Sequence, residues 1–181
     1  FCARRVVSIP ATAVQTGPDI LITGLECFNL DLTLCCGQAF RWQKTHGGGW
    51  RGVAYGRALE LYQNGEGLLL KNTDQAVYES VWKRYFDLDT DYDAFCRALR
   101  RDRYLRQAIG ENPGIRILRQ EPWETLCSFI LSQNNNIPRI KGIIQRLCEG
   151  FGEPLGHGDY AFPPPERIAA LDTGDLAQLR A

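Results

Sequence analysis

From about residue 19 to residue 71 the apolar positions come in short runs and alternations. They are Asp19-Ile20-Leu21-Ile22, Cys27 to Leu32, Ala39 to Gln43, Trp50 to Tyr55, Ala58 to Gln63 and Leu68 to Lys71. Gly47-Gly48-Gly49, Gly56-Arg57 and Asn64-Gly65-Glu66-Gly67 separate several of these runs. Period-two patterning broken by glycine-rich turns predicts an antiparallel meander. No Gly-Lys-Ser/Thr follows the triple glycine, so it is a hairpin turn and not a phosphate loop.

After Asn72 the period becomes helical. Val77, Val81, Tyr85 and Trp82 predict a helix over 74–86. A second is expected after Thr90 as N-cap with Asp93 three residues on, turning Phe95, Leu99 and Leu105 inward. Arg97, Arg100, Arg101, Arg103 and Arg106 fall on its solvated face. Asp87 to Asp93 does not make a calcium loop, because Tyr92 and Ala98 stand where glycine and glutamate are required. Asn112-Pro113-Gly114 is a turn. A third helix opens at Pro122, with Glu124 near its positive end and Trp123, Leu126, Cys127 and Ile130 as its buried face. A fourth spans about Ile137 to Cys148, capped by Asn136 and stopped by Gly150 and Gly152, and a short one follows Pro163-Pro164-Pro165. The pattern is α+β. It has an N-terminal segment of undefined structure (1–18), an antiparallel sheet (19–72), helices packing on it (73–110) and the start of an all-α domain (111–181).

Composition changes this picture little. Hydrophobic residues at 44% and charged residues at 23% suit a globular chain, and no apolar run approaches the roughly 20 residues of a membrane span. The formal net charge is zero, so any nucleic-acid surface must be a local patch. The seven scattered cysteines lack ligand spacing and the two histidines, His46 and His157, are far apart. That predicts reduced thiols, no metal site and no cofactor. The absence of methionine and the stop at Ala181 inside a helical pattern predict a piece of a longer protein.

Asn134-Asn135-Asn136, followed by Ile137-Pro138-Arg139, interrupts the apolar stretch Leu126 to Gln133. Adjacent amides weaken a helix because they compete for its backbone bonds. They can form an ordinary capped turn between helices, or an array of donors and acceptors suited to the edge of a base.

Cys36-Gly37-Gln38-Ala39-Phe40-Arg41-Trp42, Leu118-Arg119-Gln120-Glu121-Pro122-Trp123-Glu124, Ser128 through Ile140 and Tyr160-Ala161-Phe162-Pro163 resemble, in this order, stretches of the 8-oxoguanine DNA glycosylase family. The resemblance covers most of the chain from about residue 25. It implies base-excision repair, with glycosylase and abasic-site lyase activities on duplex DNA carrying 8-oxoguanine opposite cytosine. It also implies a TBP-like antiparallel sheet domain followed by a helical glycosylase domain with a helix-hairpin-helix. By resemblance, the Gly37 carbonyl meets the flipped lesion, Asn134 fills the vacated space and touches the orphaned cytosine, and Arg139 contacts the same cytosine. Asn135 and Asn136 shape the turn.

The family's nucleophilic lysine belongs to a Gly-x-Gly-x-Lys hairpin that this chain does not contain, and an aspartate assists it. No catalytic residue is therefore assigned here. Lys141 does not match the nucleophile and is expected to be a solvated helix position. Phe40 and Trp42 are expected in the core and not stacked on a base. The parent would be a monomer, cytoplasmic on a bacterial chromosome or nuclear in a eukaryote. The alternative is a non-catalytic module that binds damaged or structured nucleic acid.

Overall fold

The structure, a computed structural model, describes residues 11–177 and Leu179. Along the chain run β1 (Thr12–Thr16), β2 (Asp19–Thr23), α1 (Leu30–Cys35), β3 (Gln43–Lys44), β4 (Trp50–Ala54), β5 (Arg57–Asn64) and β6 (Gly67–Lys71). Then come α2 (Gln75–Val77), a π-helical turn (Tyr78–Trp82), α3 (Lys83–Tyr85), α4 (Tyr92–Leu99) and α5 (Arg103–Glu111). The chain continues through α6 (Pro122–Ser132), α7 (Ile137–Phe151), the hairpin β7 (Pro154–Gly156) and β8 (Asp159–Tyr160), α8 (Pro165–Ala169) and α9 (Thr173–Ala177). The first six strands form one sheet in the order β1-β2-β6-β5-β4-β3, so the expected antiparallel meander is present. The fold separates into two compact units that interleave along the sequence. One holds the chain up to Thr33 with Leu61–Ile117, the other Leu34–Glu60 with Leu118 onward.

In the first unit, β2 pairs with β6 so that Ile20 faces Leu70 and Ile22 faces Leu68, all four fully buried. Alternation along both strands sends these side chains to one face, which is what a half-buried sheet requires. Trp82, Tyr85 and Phe86 add an aromatic cluster, and Phe28 meets Phe86 edge to face at 6.2 Å. Arg116 is buried beside it, donating to the carbonyls of Asp87 (2.8 Å) and Glu26 (3.0 Å) between the rings of Phe28 and Tyr92.

Five expectations in this unit are corrected. Thr12–Thr16, placed in the undefined segment, is a strand paired with β2. The run Cys27 to Leu32, expected as strand, instead ends in α1, which takes Leu30 to Leu32, and its first three residues are irregular. Asn29 accepts at Oδ1 from Leu32 N (2.9 Å), and the leucines at 30 and 34 also fit a one-turn helical repeat. The cap near residue 90 is Asp91, whose carboxylate accepts from Ala94 N (2.8 Å), while Thr90 Oγ1 donates to Asp87 (2.9 Å). Phe95, Leu99 and Leu105 are exposed, because Asp102 caps a new helix and splits the expected one. Helical periodicity there records amphipathicity, not the presence of a partner. The π-helical turn likewise replaces the uniform helix over 74–86. It adds Tyr78 to the expected Trp82 and Tyr85 as buried residues and leaves Val77 and Val81 half-buried.

In the second unit α7 supplies the core. Ile140, Ile144 and Cys148 pack with Phe40, Leu131, Tyr160 and Phe162, and Ile143 and Leu147 pack with Leu179, Phe151 and Ile168. Trp42 is fully buried over Gly52, so the expected core roles of Phe40 and Trp42 hold. Ala39 to Trp42 is not a strand, since β3 begins at Gln43. The expected inward face of α6 is corrected as well. Trp123 and Cys127 are half-buried, but Leu126 and Ile130 are 51% and 60% exposed. Gly150 lies inside α7, which ends at Gly152, where an added Cβ would strike the Ala161 carbonyl.

Glu121 caps α6, its carboxylate accepting from Trp123 N (3.0 Å) and Glu124 N (2.6 Å). Glu124 lies in the first turn, 3.5 Å from Arg41, and both side chains are nearly buried. Burial pushes the Glu124 carboxyl up from its ordinary 4.5 to about 7, although Arg41 pulls it back; Glu121 adds a small upward push.

Two stability measurements follow from these contacts. Gly114 has φ +84, and a Cβ there would lie 2.7 Å from Asn29 N and 2.8 Å from the Phe28 carbonyl carbon. Gly114→Ala should therefore cost about 2–4 kcal/mol in urea unfolding. Glu124 keeps a proton in the folded state that the unfolded chain has released between pH 4.5 and about 7. Its stabilisation is full below the lower value and lost as pH rises through the upper one. Stability should fall from acid to mildly alkaline pH by an amount on the order of 3 kcal/mol, and Glu124→Gln should flatten that slope.

Candidate functional site

The residues singled out by sequence fall within the second unit, around the junction of α6 and α7. α6 ends because the next residues leave helical geometry. Gln133 is extended at φ −64, ψ 121, and Asn134 takes the left-handed conformation at φ +56. Asparagine tolerates that region better than most residues, which gives this position a physical reason for its identity.

The three asparagines divide the work. Asn135 Nδ2 donates to the carbonyls of Leu131 (2.8 Å) and Gln133 (3.4 Å), closing the exposed end of α6. Asn136 Oδ1 accepts from Arg139 N (3.0 Å) and so caps α7, as expected. Asn134 and Arg139 are exposed, and their side-chain polar groups make no hydrogen bond to other described residues. Two amides thus build the elbow, while one amide and one guanidinium project from it with their donors and acceptors available.

Gly37 sits on the segment between α1 and β3. A Cβ built on it would lie 3.8 Å from Cδ1 of Ile137. Ile137 is the first residue of α7, between Asn136 and Arg139, so the glycine and the elbow share one neighbourhood. Within the chain that distance is an ordinary contact, so space does not require glycine here. The backbone does, since φ at Gly37 is +84.

Hydrogen bonds to other elements hold segment 37–42. Leu118 N donates to Gln38 Oε1 (2.9 Å), Gln120 Nε2 donates to the Gln38 carbonyl (2.5 Å), and Arg41 donates to the Tyr160 carbonyl. Lys141 Nζ donates to the Trp42 carbonyl (2.9 Å) and is half-buried. This corrects its expected role as a solvated position, because its cationic end is spent on the segment. A cleft of about 210 Å³ behind this segment is lined by Arg41, Arg51, Lys141, Glu149, Asp159 and Tyr160. Arg51 pairs with Asp159 across it at 2.5 Å, Lys141 is bonded to the Trp42 carbonyl, and the lining includes neither Gly37 nor Asn134.

Sequence reasoning missed Gln38, Arg41 and Glu124. Arg41 alternates with Phe40 and Trp42 in a run that looks like strand, and Glu124 looks like a helix-dipole residue. Their pairing is a tertiary fact that no local pattern carries.

Residues 20–126 match the family model described as the 8-oxoguanine DNA glycosylase N-terminal domain. A solved chain named MBOgg1, in complex with a low-affinity DNA ligand, is similar at 39% identity and TM-score 0.90. The match covers 95% of this chain and 61% of that one. The Clostridium acetobutylicum 8-oxoguanine glycosylase/lyase, solved with duplex DNA containing cytosine opposite 8-oxoG, is similar at 34% identity and TM-score 0.88, covering 93% and 59%. The Saccharomyces cerevisiae N-glycosylase/DNA lyase is 48% identical over 64 residues, 33% of this chain and 17% of the yeast protein. The chain therefore spans less than two thirds of the length of these relatives. On the family match and the agreement of fold, the chain belongs to the 8-oxoguanine DNA glycosylase family.

Proposed function

We propose that the protein carrying this chain is a base-excision enzyme that extrudes 8-oxoguanine from opposite cytosine, cleaves its glycosidic bond and acts as an abasic-site lyase. The observation that carries this reading is the proximity of Gly37 to Ile137, whose Cδ1 would lie 3.8 Å from a Cβ built on the glycine; it brings a glycine carbonyl segment and the asparagine elbow into one neighbourhood.

The chemistry of the lesion explains why such a neighbourhood is useful. Guanine presents a lone pair at N7, whereas 8-oxoguanine carries a proton there. A fixed Gly37 carbonyl accepts from the lesion and opposes another acceptor in the normal base. Leaving that mismatch buried costs roughly 1–3 kcal/mol. On the partner strand the unpaired cytosine exposes N3 and O2, and the Arg139 guanidinium offers paired donors that fit them. Asn134, held outward by its left-handed backbone, occupies the hole and offsets part of the few kcal/mol that extrusion costs.

In this reading the chain supplies recognition of the lesion and of its partner base. The attacking lysine and its assisting aspartate lie outside these residues, and the bond between Lys141 and the Trp42 carbonyl argues against Lys141 as a substitute. The substrate is duplex DNA, the protein acts as a monomer, and the chromosome is its place of action.

The full-length protein should nick a duplex containing 8-oxoguanine opposite cytosine and be trapped on it by borohydride, while the 181-residue chain should do neither. Trapping by the chain alone would refute the assignment of the nucleophile. Arg139→Ala in the full-length protein should weaken binding opposite cytosine by roughly 5- to 100-fold, the equivalent of about 1–3 kcal/mol. An unchanged affinity would remove Arg139 from the interface.

A further inference from the structure

Segment 37–42 lacks strand pairing, yet buried backbone groups must be satisfied. Gln120 meets this need at the Gln38 carbonyl and Lys141 at the Trp42 carbonyl; the Gln38 side chain accepts from Leu118 N, and between them Arg41 donates to the Tyr160 carbonyl and faces Glu124. The Arg41 side chain is 10% exposed and that of Glu124 16%. Their 3.5 Å separation is an ion pair without hydrogen-bond geometry, and Arg41 Nη1 makes no hydrogen bond. A buried pair of this kind is a poor source of net stability, because desolvation consumes most of its attraction; its better-attested use is fixing register. The neighbouring cations Arg51 and Lys141, which line the same cleft as Arg41, are engaged with Asp159 and with the Trp42 carbonyl. Glu121 is spent on the helix cap, Cys127 is a half-buried thiol, and burial pushes the Cys148 thiol up to about 12, leaving it neutral.

We propose that Arg41, held by Glu124, is a positioning residue for the Gly37 carbonyl. It fixes segment 37–42 against the first turn of α6, whose other end carries the elbow, and so sets where the carbonyl stands relative to Ile137 and Asn134. The segment then has anchors on both sides, Leu118 and Gln120 before α6 with Glu124 in its first turn, and Lys141 within α7. Movement of the carbonyl by a fraction of its hydrogen-bond length would blur the difference between a proton and a lone pair at N7 without abolishing DNA binding. This role rests on the proposed reading of Gly37 as the lesion-sensing position.

The test is a double-mutant cycle in the full-length protein. It uses dissociation constants for duplexes with 8-oxoguanine or guanine opposite cytosine, and thermal midpoints confirm that each variant is folded. Arg41→Lys keeps the charge and loses the planar fork. It should lower the 8-oxoguanine-to-guanine affinity ratio by about tenfold while binding to guanine duplex stays within about twofold. In a Gly37→Ala background, Arg41→Lys should lower the ratio no further, because both changes act through one carbonyl. If Arg41→Lys does not fold, Glu124→Gln, which keeps shape and removes the charge, takes its place in the same cycle with the same expected coupling. A ratio unchanged by these variants, or independent multiplicative losses in the double variant, would overturn the positioning role. A wild-type protein with no preference, or Gly37→Ala with the preference intact, would instead overturn the Gly37 reading itself.

Discussion

The candidate site depends on how one irregular segment is held. Residues 37–42 pair in no ladder, although Trp42 packs over Gly52 of β4, and side chains meet their backbone from the approach to α6 and from the first turns of α7. A strand in a sheet would alternate its carbonyls in and out with the ladder. An unpaired segment can aim a single carbonyl, at the cost that every anchor must come from elsewhere. The left-handed φ at Gly37 supplies the turn, and Gln38, Arg41 and Lys141 supply the fixation. The proposed sensing of one proton on a base relies on such pinning, because discrimination needs a fixed acceptor and not a strong one.

The elbow between α6 and α7 solves the complementary problem. A helix end has carbonyls to satisfy and a helix start has amides. Asn135 serves the first and Asn136 the second, so the chain turns sharply without recruiting other elements. That leaves Asn134 outward in a conformation few residues accept, and Arg139 free in the first turn of α7. The isoleucines of α7 anchor the elbow from beneath, Ile140 and Ile144 in one cluster and Ile143 in another. Polar display on one face of α7 is thus coupled to apolar burial on the other.

How much of this was legible in the sequence differs from element to element. The paired strands, the triple-glycine hairpin and the Asn136 cap follow from local chemistry and are present. The segment 27–32 misled because leucines two apart satisfy a strand pattern, while Leu30 and Leu34 satisfy a helical one. The Asn29 cap decides between them. Thr90 lost its expected cap to Asp91, one residue on, which accepts from the Ala94 amide while Thr90 donates to Asp87. Leu126, Ile130, Phe95 and Leu99 show a further limit, since amphipathic spacing cannot say whether a partner exists. The Arg41–Glu124 pair was invisible for another reason, because its members lie 83 positions apart in a unit that interleaves with its neighbour along the chain. At Gly37 the residue was legible and its cause was not. The positive φ, and not crowding inside the chain, explains the glycine.

The central claim is that a backbone oxygen at Gly37 senses what stands at position 7 of the base. The most direct test measures full-length protein binding to three duplexes that differ at one base opposite cytosine: 8-oxoguanine, guanine and 7-deazaguanine. The last presents a carbon in place of the lone pair, removing the repulsion without offering the strong donor. The account predicts affinity in the order 8-oxoguanine, 7-deazaguanine, guanine. Equal binding of guanine and 7-deazaguanine would contradict it.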